Sequence, residues 1–356
     1  MTNDLTTVEG SLQEVIDRLE TNLAAKGVNA SYSASTGILG LVDEIQNISQ
    51  SSGGSGVPCY NVSFTDKSLP YSDWDFTNSR HVASLQIYLQ YQYQPYQGTV
   101  TITDGTNTYN VTTNSNGIAN LLAPVTANST TFTASYTNTS ATFTVTKANY
   151  LFVDACTSAT GLSKYDSSIP IYKSSSGNPS SVLSYDSTNN CYEIHATNTS
   201  TSYYSFIGIN DSNVTGKTSY VASMEIYQVG SANTNEVGLY VDNSADVTSY
   251  GYGSTILGQT HYYYGKRFKE ASVSTAHTTL LTADQLSRGN WYIMELEYDG
   301  SKFYERLYDI NRNLIYSYSY SQTVSNTKLG LIQKGGTVAG TSNLIRNIKV
   351  RSTATS

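Results

Sequence analysis

Residues 291–320 read WYIMELEYDGSKFYERLYDINRNLIYSYSY. Tyr292, Met294, Leu296 and Tyr298 alternate with Ile293, Glu295, Glu297 and Asp299, the period of two that marks a strand with one face against a core. Asp299-Gly300 is the kind of dipeptide that closes a tight hairpin, so strands are expected at Trp291–Tyr298 and Lys302–Tyr308. Asn311–Asn313 then turns the chain into a third strand, Leu314–Tyr320. Three alternating runs joined by turns of this kind read as an antiparallel meander.

Working outward, the same pattern recurs in YLFVDAC (150–156), CYEIHA (191–196), Tyr220–Tyr227 and Glu236–Val241 upstream. Lys328–Ile332 and Asn343–Val350 follow downstream and are expected to complete the meander. A run of roughly 200 such residues suits one double-sheet β domain. Residues 149–356 are therefore set apart as a single unit. Composition agrees: charged residues make up 13% of the 356-residue chain, about half the usual ~25%. The aromatic content is dominated by 31 Tyr, against 8 Phe and 2 Trp. A chain this rich in aromatics can bury enough area to fold. The net charge of −7 argues against nucleic acid or an anionic membrane as partner.

Residues 58–148 form a second β unit. Strands are expected at His81–Tyr91, Gly98–Thr103, Thr108–Thr113, Ile118–Leu122, Thr131–Tyr136 and Ala141–Thr146, with turns at Asp104-Gly105, Asn116-Gly117 and Thr137-Asn138. Turn signals at this spacing mark a sandwich. The phrases GTVTITDGTNTYNVTTNSNGIANLLAP and TFTASYTNTSATFTV resemble the immunoglobulin-like repeats of bacterial and archaeal adhesins and viral fibres. That resemblance implies a spacer module. Tyr91 and Tyr93, in LQYQYQPYQ, read as packing or interface residues.

Residues 1–57 are read as a helical segment followed by a flexible linker, QSSGGSGV. Leu12, Ile16, Leu19 and Leu23 recur at alternating spacings of four and three, one coiled-coil seam. Ser11 can cap this helix and Gly27 can end it. A second short helix is expected around Ile38, Leu41, Val42, Ile45 and Ile48. Helices this short gain stability from packing, so the seam is assigned to oligomerisation. The stretch LQEVIDRLETNLAAKGVNASYSASTGILGLVDEIQNI resembles N-terminal segments of phage and archaeal-virus structural proteins. It implies a homotrimeric fibre held to other virion proteins through this segment. No secretory signal and no membrane-inserting stretch are expected.

The strand order of residues 149–356 resembles the concanavalin A-like lectin and glucanase superfamily, laminin-G-type domains included. The glucanase branch implies carboxylates at alternate positions of one strand. Glu295, Glu297 and Asp299 do alternate, but their order departs from the family pattern. Asp299 is better explained by the hairpin turn, and the carboxylate face is expected to be solvated. No G-x-S-x-G, H-E-x-x-H or P-loop motif is present, so no catalytic residue is assigned and the protein is not expected to be an enzyme.

Cys191, Glu193 and His195 fall on one strand face, and Cys156 sits near a neighbouring strand. Mismatched ligand softness argues against a metal here. The Cys156–Cys191 pair is left open between disulfide and thiols, the latter favoured. Calcium through loop oxygens such as Asp242 and Asp246 has no supporting spacing, so no cofactor is expected.

YGYGSTILGQTHYYYGKRF (250–268) supplies the candidate ligand surface: Tyr250, Tyr252, His261, Tyr262, Tyr263 and Tyr264. Tyrosine offers a flat face for a sugar ring and a hydroxyl for hydrogen bonds. The competing reading is that Tyr simply replaces Phe in the core. Together these features imply a virion fibre that binds a host cell-surface polysaccharide through its C-terminal domain without cutting it. The alternatives are a capsid-decorating head fibre, a cell-surface adhesin and, last, a glycan hydrolase.

Overall fold

The computed structural model describes residues 59–166, 181–196, 204–228, 236–242, 252–257, 261–263, 267–269, 272–274, 289–324, 328–334 and 342–353. The seam of Leu12, Ile16, Leu19 and Leu23 lies outside them, as do Tyr250, Tyr264 and Asp246. The described chain is mainly β, as the alternation predicts. Its one helical element is a 3-10 turn, Ala159–Lys164, capped where the Thr160 N–H donates to Ser158 Oγ at 3.1 Å.

Contacts divide the chain into Asn61–Gln90 with Gln94–Ser356, and Met1–Tyr60 with Tyr91–Tyr93. In the latter unit the Tyr60 and Tyr91 rings pack 4.9 Å apart, and the Gln92 N–H donates to the Cys59 carbonyl.

The smaller sandwich contains β1 (Tyr60–Phe64), β2 (Asp73–Asp75), β3 (Arg80–Tyr91), β4 (Gln94–Pro95) and β5 (Thr99–Thr103). It continues with β6 (Thr108–Thr112), β7 (Ile118–Pro124), β8 (Ser129–Tyr136) and β9 (Thr139–Thr146). β3 is the spine of one sheet, pairing with β1, β2, β4 and β7, and the second sheet runs β6-β5-β8-β9. Ala83, Leu85, Ile87 and Leu89 of β3 point inward onto Val100, Ile102, Phe132 and Val145. The expected turns occur: Asp104 Oδ1 accepts from the Thr106 and Asn107 N–H groups. Gly117 has φ +71°, and an added Cβ would lie 2.4 Å from the Leu89 carbonyl, so this turn requires glycine.

The larger unit begins with β10 (Tyr150–Asp154), β11 (Tyr165–Asp166), β12 (Ser181–Asp186), β13 (Cys191–Ala196) and β14 (Tyr204–Ile209). Next come β15 (Tyr220–Gln228), β16 (Glu236–Asp242), β17 (Tyr252–Leu257), β18 (His261–Tyr263), β19 (Arg267–Lys269) and β20 (Ser272–Ser274). β21 (Trp291–Tyr298), β22 (Lys302–Asp309), β23 (Leu314–Ser321), β24 (Lys328–Lys334) and β25 (Ser342–Ser352) close it. One sheet runs β12-β13-β25-β15-β21-β22-β23, with β10 also on β25, and the other runs β11-β14-β24-β16-β17-β18. This is the double-sheet, jelly-roll-type sandwich expected.

The β21-β22-β23 meander forms as read, with Gly300 at φ +100° in the hairpin turn. The two last strands do not extend it. β24 crosses to the other sheet between β14 and β16, and β25 returns to the middle of the first. The reason lies in burial: Leu329, Leu331 and Ile332 are all buried, too apolar for an edge. At Gly330 the Ile207 carbonyl and Phe206 ring approach so closely that an added Cβ would lie 2.3 Å from that oxygen.

Between the sheets lie Phe152, Ile194, Ile226, Leu239, Met294, Leu296, Phe303 and Leu331. Tyr192, Tyr220, Tyr240 and Tyr298 are almost fully buried with them, so part of the tyrosine excess does replace phenylalanine. Two of these hydroxyls are visibly satisfied. That of Tyr298 donates to the Gly300 carbonyl, and that of Tyr192 donates to Asp154 Oδ2.

Candidate functional site

The expected carboxylate face is solvated at Asp299 and only partly at Glu297, and it is covered at Glu295. Glu295 is 9% exposed, and Arg306 on β22 donates to Glu295 at 2.6 Å and Glu297 at 2.7 Å. The alternation correctly turns Met294, Leu296 and Tyr298 inward; what it does not reveal is that the opposite face at Glu295 is also covered. Burial opposes the Arg306 charge, but the two carboxylates outweigh it and hold its pKa above the usual value. Asp299 fills its turn role, accepting from the N–H groups of Ser301 and Lys302 at 2.8 Å each.

Cys156 and Cys191 are buried free thiols, while Cys59 is exposed. Burial, before the field of Asp154, pushes the Cys156 thiol well up, and burial pushes that of Cys191 up to about 11. Among the described residues no three His, Cys, Asp or Glu side chains are grouped to hold a metal ion. Glu193 and His195 lie on β13, and Asp242 ends β16. Of the tyrosine surface, Tyr252 lies on β17, while His261, Tyr262 and Tyr263 form β18 at the edge of the six-stranded sheet. The backbone register sets Tyr262 opposite Ile256 and Tyr263 opposite Thr255, and Tyr252 opposite Val241 on the other side.

Among the described residues a concave site lies elsewhere, where the connection between the two sandwiches crosses β2 and β3. Trp74 and His81 are direct cross-strand partners, which brings their rings edge-on with centroids 5.1 Å apart. Tyr150, the first residue of β10, completes a triad, 5.6 Å from each. Backbone bonds fix the connection beneath it. Ser72 N–H donates to the Thr146 carbonyl, and Lys147 N–H to the Asn128 carbonyl. The Ala148 N–H donates to Ser72 Oγ, which is also 2.9 Å from His81 Nδ1. Burial first, and then the Lys147 charge, hold the imidazole pKa below its ordinary value, so the ring is neutral at pH 7.

These groups open onto a cleft of about 630 Å³ lined also by Asn128, Lys147, Asn149, Lys164 and Asp211, a size within the usual range of ligand pockets. Lys164 ends the 3-10 turn and reaches the Val153 carbonyl at 3.2 Å and Asp154 at 3.8 Å. Asp211 Oδ1 accepts from the Asn213 N–H. Trp74 also lines a 350 Å³ groove with Asp75, Glu225 and Asn347, so this residue borders both hollows.

Behind the triad lies a charged lock. Asp73 pairs with both Arg312 and Lys349 of the larger sandwich and accepts from the Tyr150 hydroxyl at 3.2 Å. Burial pushes the Asp73 carboxyl up, but Lys349 and Arg312 pull harder and hold it far below the carboxylate range. Arg351 stacks on the Tyr71 ring at 3.8 Å. His81 and Tyr150 begin expected strands, but no motif marks this region as a site. Its available signal was Trp74, one of two tryptophans in the chain, inside the polar turn-rich stretch YSDWDF.

No protein-family model and no curated protein matches the sequence. Solved structures similar to the chain include the carbohydrate binding module CBM66 from Bacillus subtilis, at 13% identity over 53% of this chain and 96% of that one, with a TM-score of 0.35. Arcelin-5, a lectin-like defense protein from Phaseolus vulgaris, aligns at 11% identity over 56% and 96%, TM-score 0.35. A family 7 alginate lyase, A1-II′, aligns at 12% identity over 51% and 85%, TM-score 0.32. Scores this low carry neither fold nor activity across to this chain.

Proposed function

We propose that this protein binds a cell-surface polysaccharide without cleaving it, as the attachment component of a virus particle. The observation that carries the binding reading is the Trp74–His81–Tyr150 triad lining an open cleft. An aromatic face takes the C–H face of a sugar, and the surrounding amides of Asn128 and Asn149 suit its hydroxyls. The non-catalytic reading is supported by the carboxylates. Glycoside hydrolysis ordinarily uses two, and among the described residues lining the cleft Asp211 is the one carboxylate. The virion assignment rests on the resemblance of residues 12–48 to N-terminal segments of viral structural proteins and of 58–148 to the repeats of adhesins and viral fibres.

A glycan array with the full-length protein, followed by titration of Trp74→Ala, tests the binding site. Loss of binding with an unchanged thermal midpoint supports the cleft. The edge strand β18 is the second surface, carried by its run of His261, Tyr262 and Tyr263. If Trp74→Ala binds normally and Tyr262→Ala/Tyr263→Ala does not, the site belongs there.

A further inference from the structure

Resting on the glycan reading above, we infer that the cleft selects an acidic polysaccharide, one whose sugars carry a carboxylate, and that Lys147 is the residue that reads the charge. Besides the Tyr150 phenol, which is engaged by Asp73, four ionisable side chains line the cleft: His81, Lys147, Lys164 and Asp211. Two are already committed to the protein. Lys164 is held by Asp154 and the Val153 carbonyl, and Asp211 caps its own turn through the Asn213 N–H. His81 is engaged by Ser72 and neutral at pH 7.

Lys147 is different. It is half-buried, its backbone is pinned by the bond from its N–H to the Asn128 carbonyl, and among the described residues its ammonium makes no ion pair or hydrogen bond. Lys147 lines the same cleft as Trp74, His81 and Tyr150, and its charge disfavours protonation of the His81 ring. A cation without a counterion at the wall of a cleft is a ready partner for an incoming anion. Here that cation shares the cleft with the stacking rings, inside a chain whose net charge is −7. General attraction for polyanions is therefore absent, and charge recognition has to be local.

The probes are oligogalacturonate, oligomannuronate and oligoglucuronate, each with its carboxyl-reduced neutral counterpart, titrated into the full-length protein. At least one acidic oligomer is expected to bind about tenfold or more tighter than its reduced form, the scale of one hydrogen bond to a charged group. Lys147→Met should remove that preference while leaving the weaker binding of the reduced form in place; Trp74→Ala should weaken both. If acidic and reduced forms bind alike, or Lys147→Met keeps the preference, the charge reading falls and the glycan reading stands. If no oligomer binds in either form, both fall.

Discussion

Asp73 and Lys349 stand 276 residues apart in the chain and meet as an ion pair where the smaller sandwich packs on the larger. Arg312 adds a second cation to the same carboxylate, and the Tyr150 hydroxyl a further hydrogen bond. The Lys349 side chain is 16% exposed and that of Asp73 14%. A lone buried charge of either sign would be costly, so each group depends on the others. This lock fixes the connection on which Tyr150 sits, and Trp74 follows Asp73 directly in β2. The aromatic floor of the cleft is thus held by electrostatics immediately behind it.

Asp73→Asn should destabilise the protein by about 3–5 kcal/mol at neutral pH, because Lys349 and Arg312 are left facing each other without an anion. The pH dependence has a defined sign. The Asp73 pKa is depressed by folding, so its contribution is fully present above the unfolded value near about 4 and is lost as pH falls below it. Urea midpoints of wild type and variant should therefore converge between about pH 4 and pH 2. Parallel curves across that window would falsify the lock. Adding Lys349→Met to the variant should restore much of the loss.

Arg306 holds Glu295 and Glu297 together on one face of β21. Arg306→Met leaves two like charges side by side, one of them 9% exposed, at a cost on the order of 1–3 kcal/mol. The deficit should appear as a lowered thermal midpoint at pH 7, and adding Glu297→Gln to the variant should recover part of it by removing one of the two like charges. A deficit unchanged by Glu297→Gln would mean that the lost contribution is packing.

The meander was legible because it is local. Alternation sets the faces of β21 and β22, and Asp299-Gly300 sets their register. The placement of β24 and β25 was not, because nothing in KLGLIQK or SNLIRNIKV says which sheet each will join. That choice depends on strands more than 100 residues away, such as β14 for β24. Glu295 shows the same limit: periodicity gives its face, but the cover comes from another sandwich. The cleft was the least legible feature. Its walls come from positions 74, 81, 147–150, 164 and 211, a set with no periodic spacing. The tyrosine surface rests on local density instead. Tyr192, Tyr220, Tyr240 and Tyr298 show that the same residue type also fills the core.

The three cysteines should separate cleanly by reactivity. Cys59 is exposed, whereas Cys156 and Cys191 are buried with thiols shifted upward by burial. The thiolate is the reactive form. A thiol-specific reagent at pH 8 should therefore modify one residue rapidly in the native protein and the other two only on unfolding. Peptide mapping should place the fast label on Cys59. Fast labelling of Cys191 would contradict its burial, and a mass two units short under non-reducing conditions would reveal a disulfide.

Single-site affinity is expected to be weak, because stacking one ring contributes only about 0.5–1.5 kcal/mol beyond area burial. Firm attachment then requires several sites on one particle. The seam of Leu12, Ile16, Leu19 and Leu23 is the segment expected to supply the first level of multiplicity, as a homotrimer. Full-length protein should scatter light as an oligomer, and a chain starting at Val57 as a monomer. On a surface coated with the preferred glycan, the full-length protein should dissociate at least a hundredfold more slowly, the lower end of avidity gains when linked sites can engage together. Trp74→Ala should weaken binding of both forms, since avidity multiplies whatever affinity the single site has. Equal dissociation of full-length and shortened chains, with both monomeric, would remove the seam from the attachment mechanism while leaving the cleft untouched.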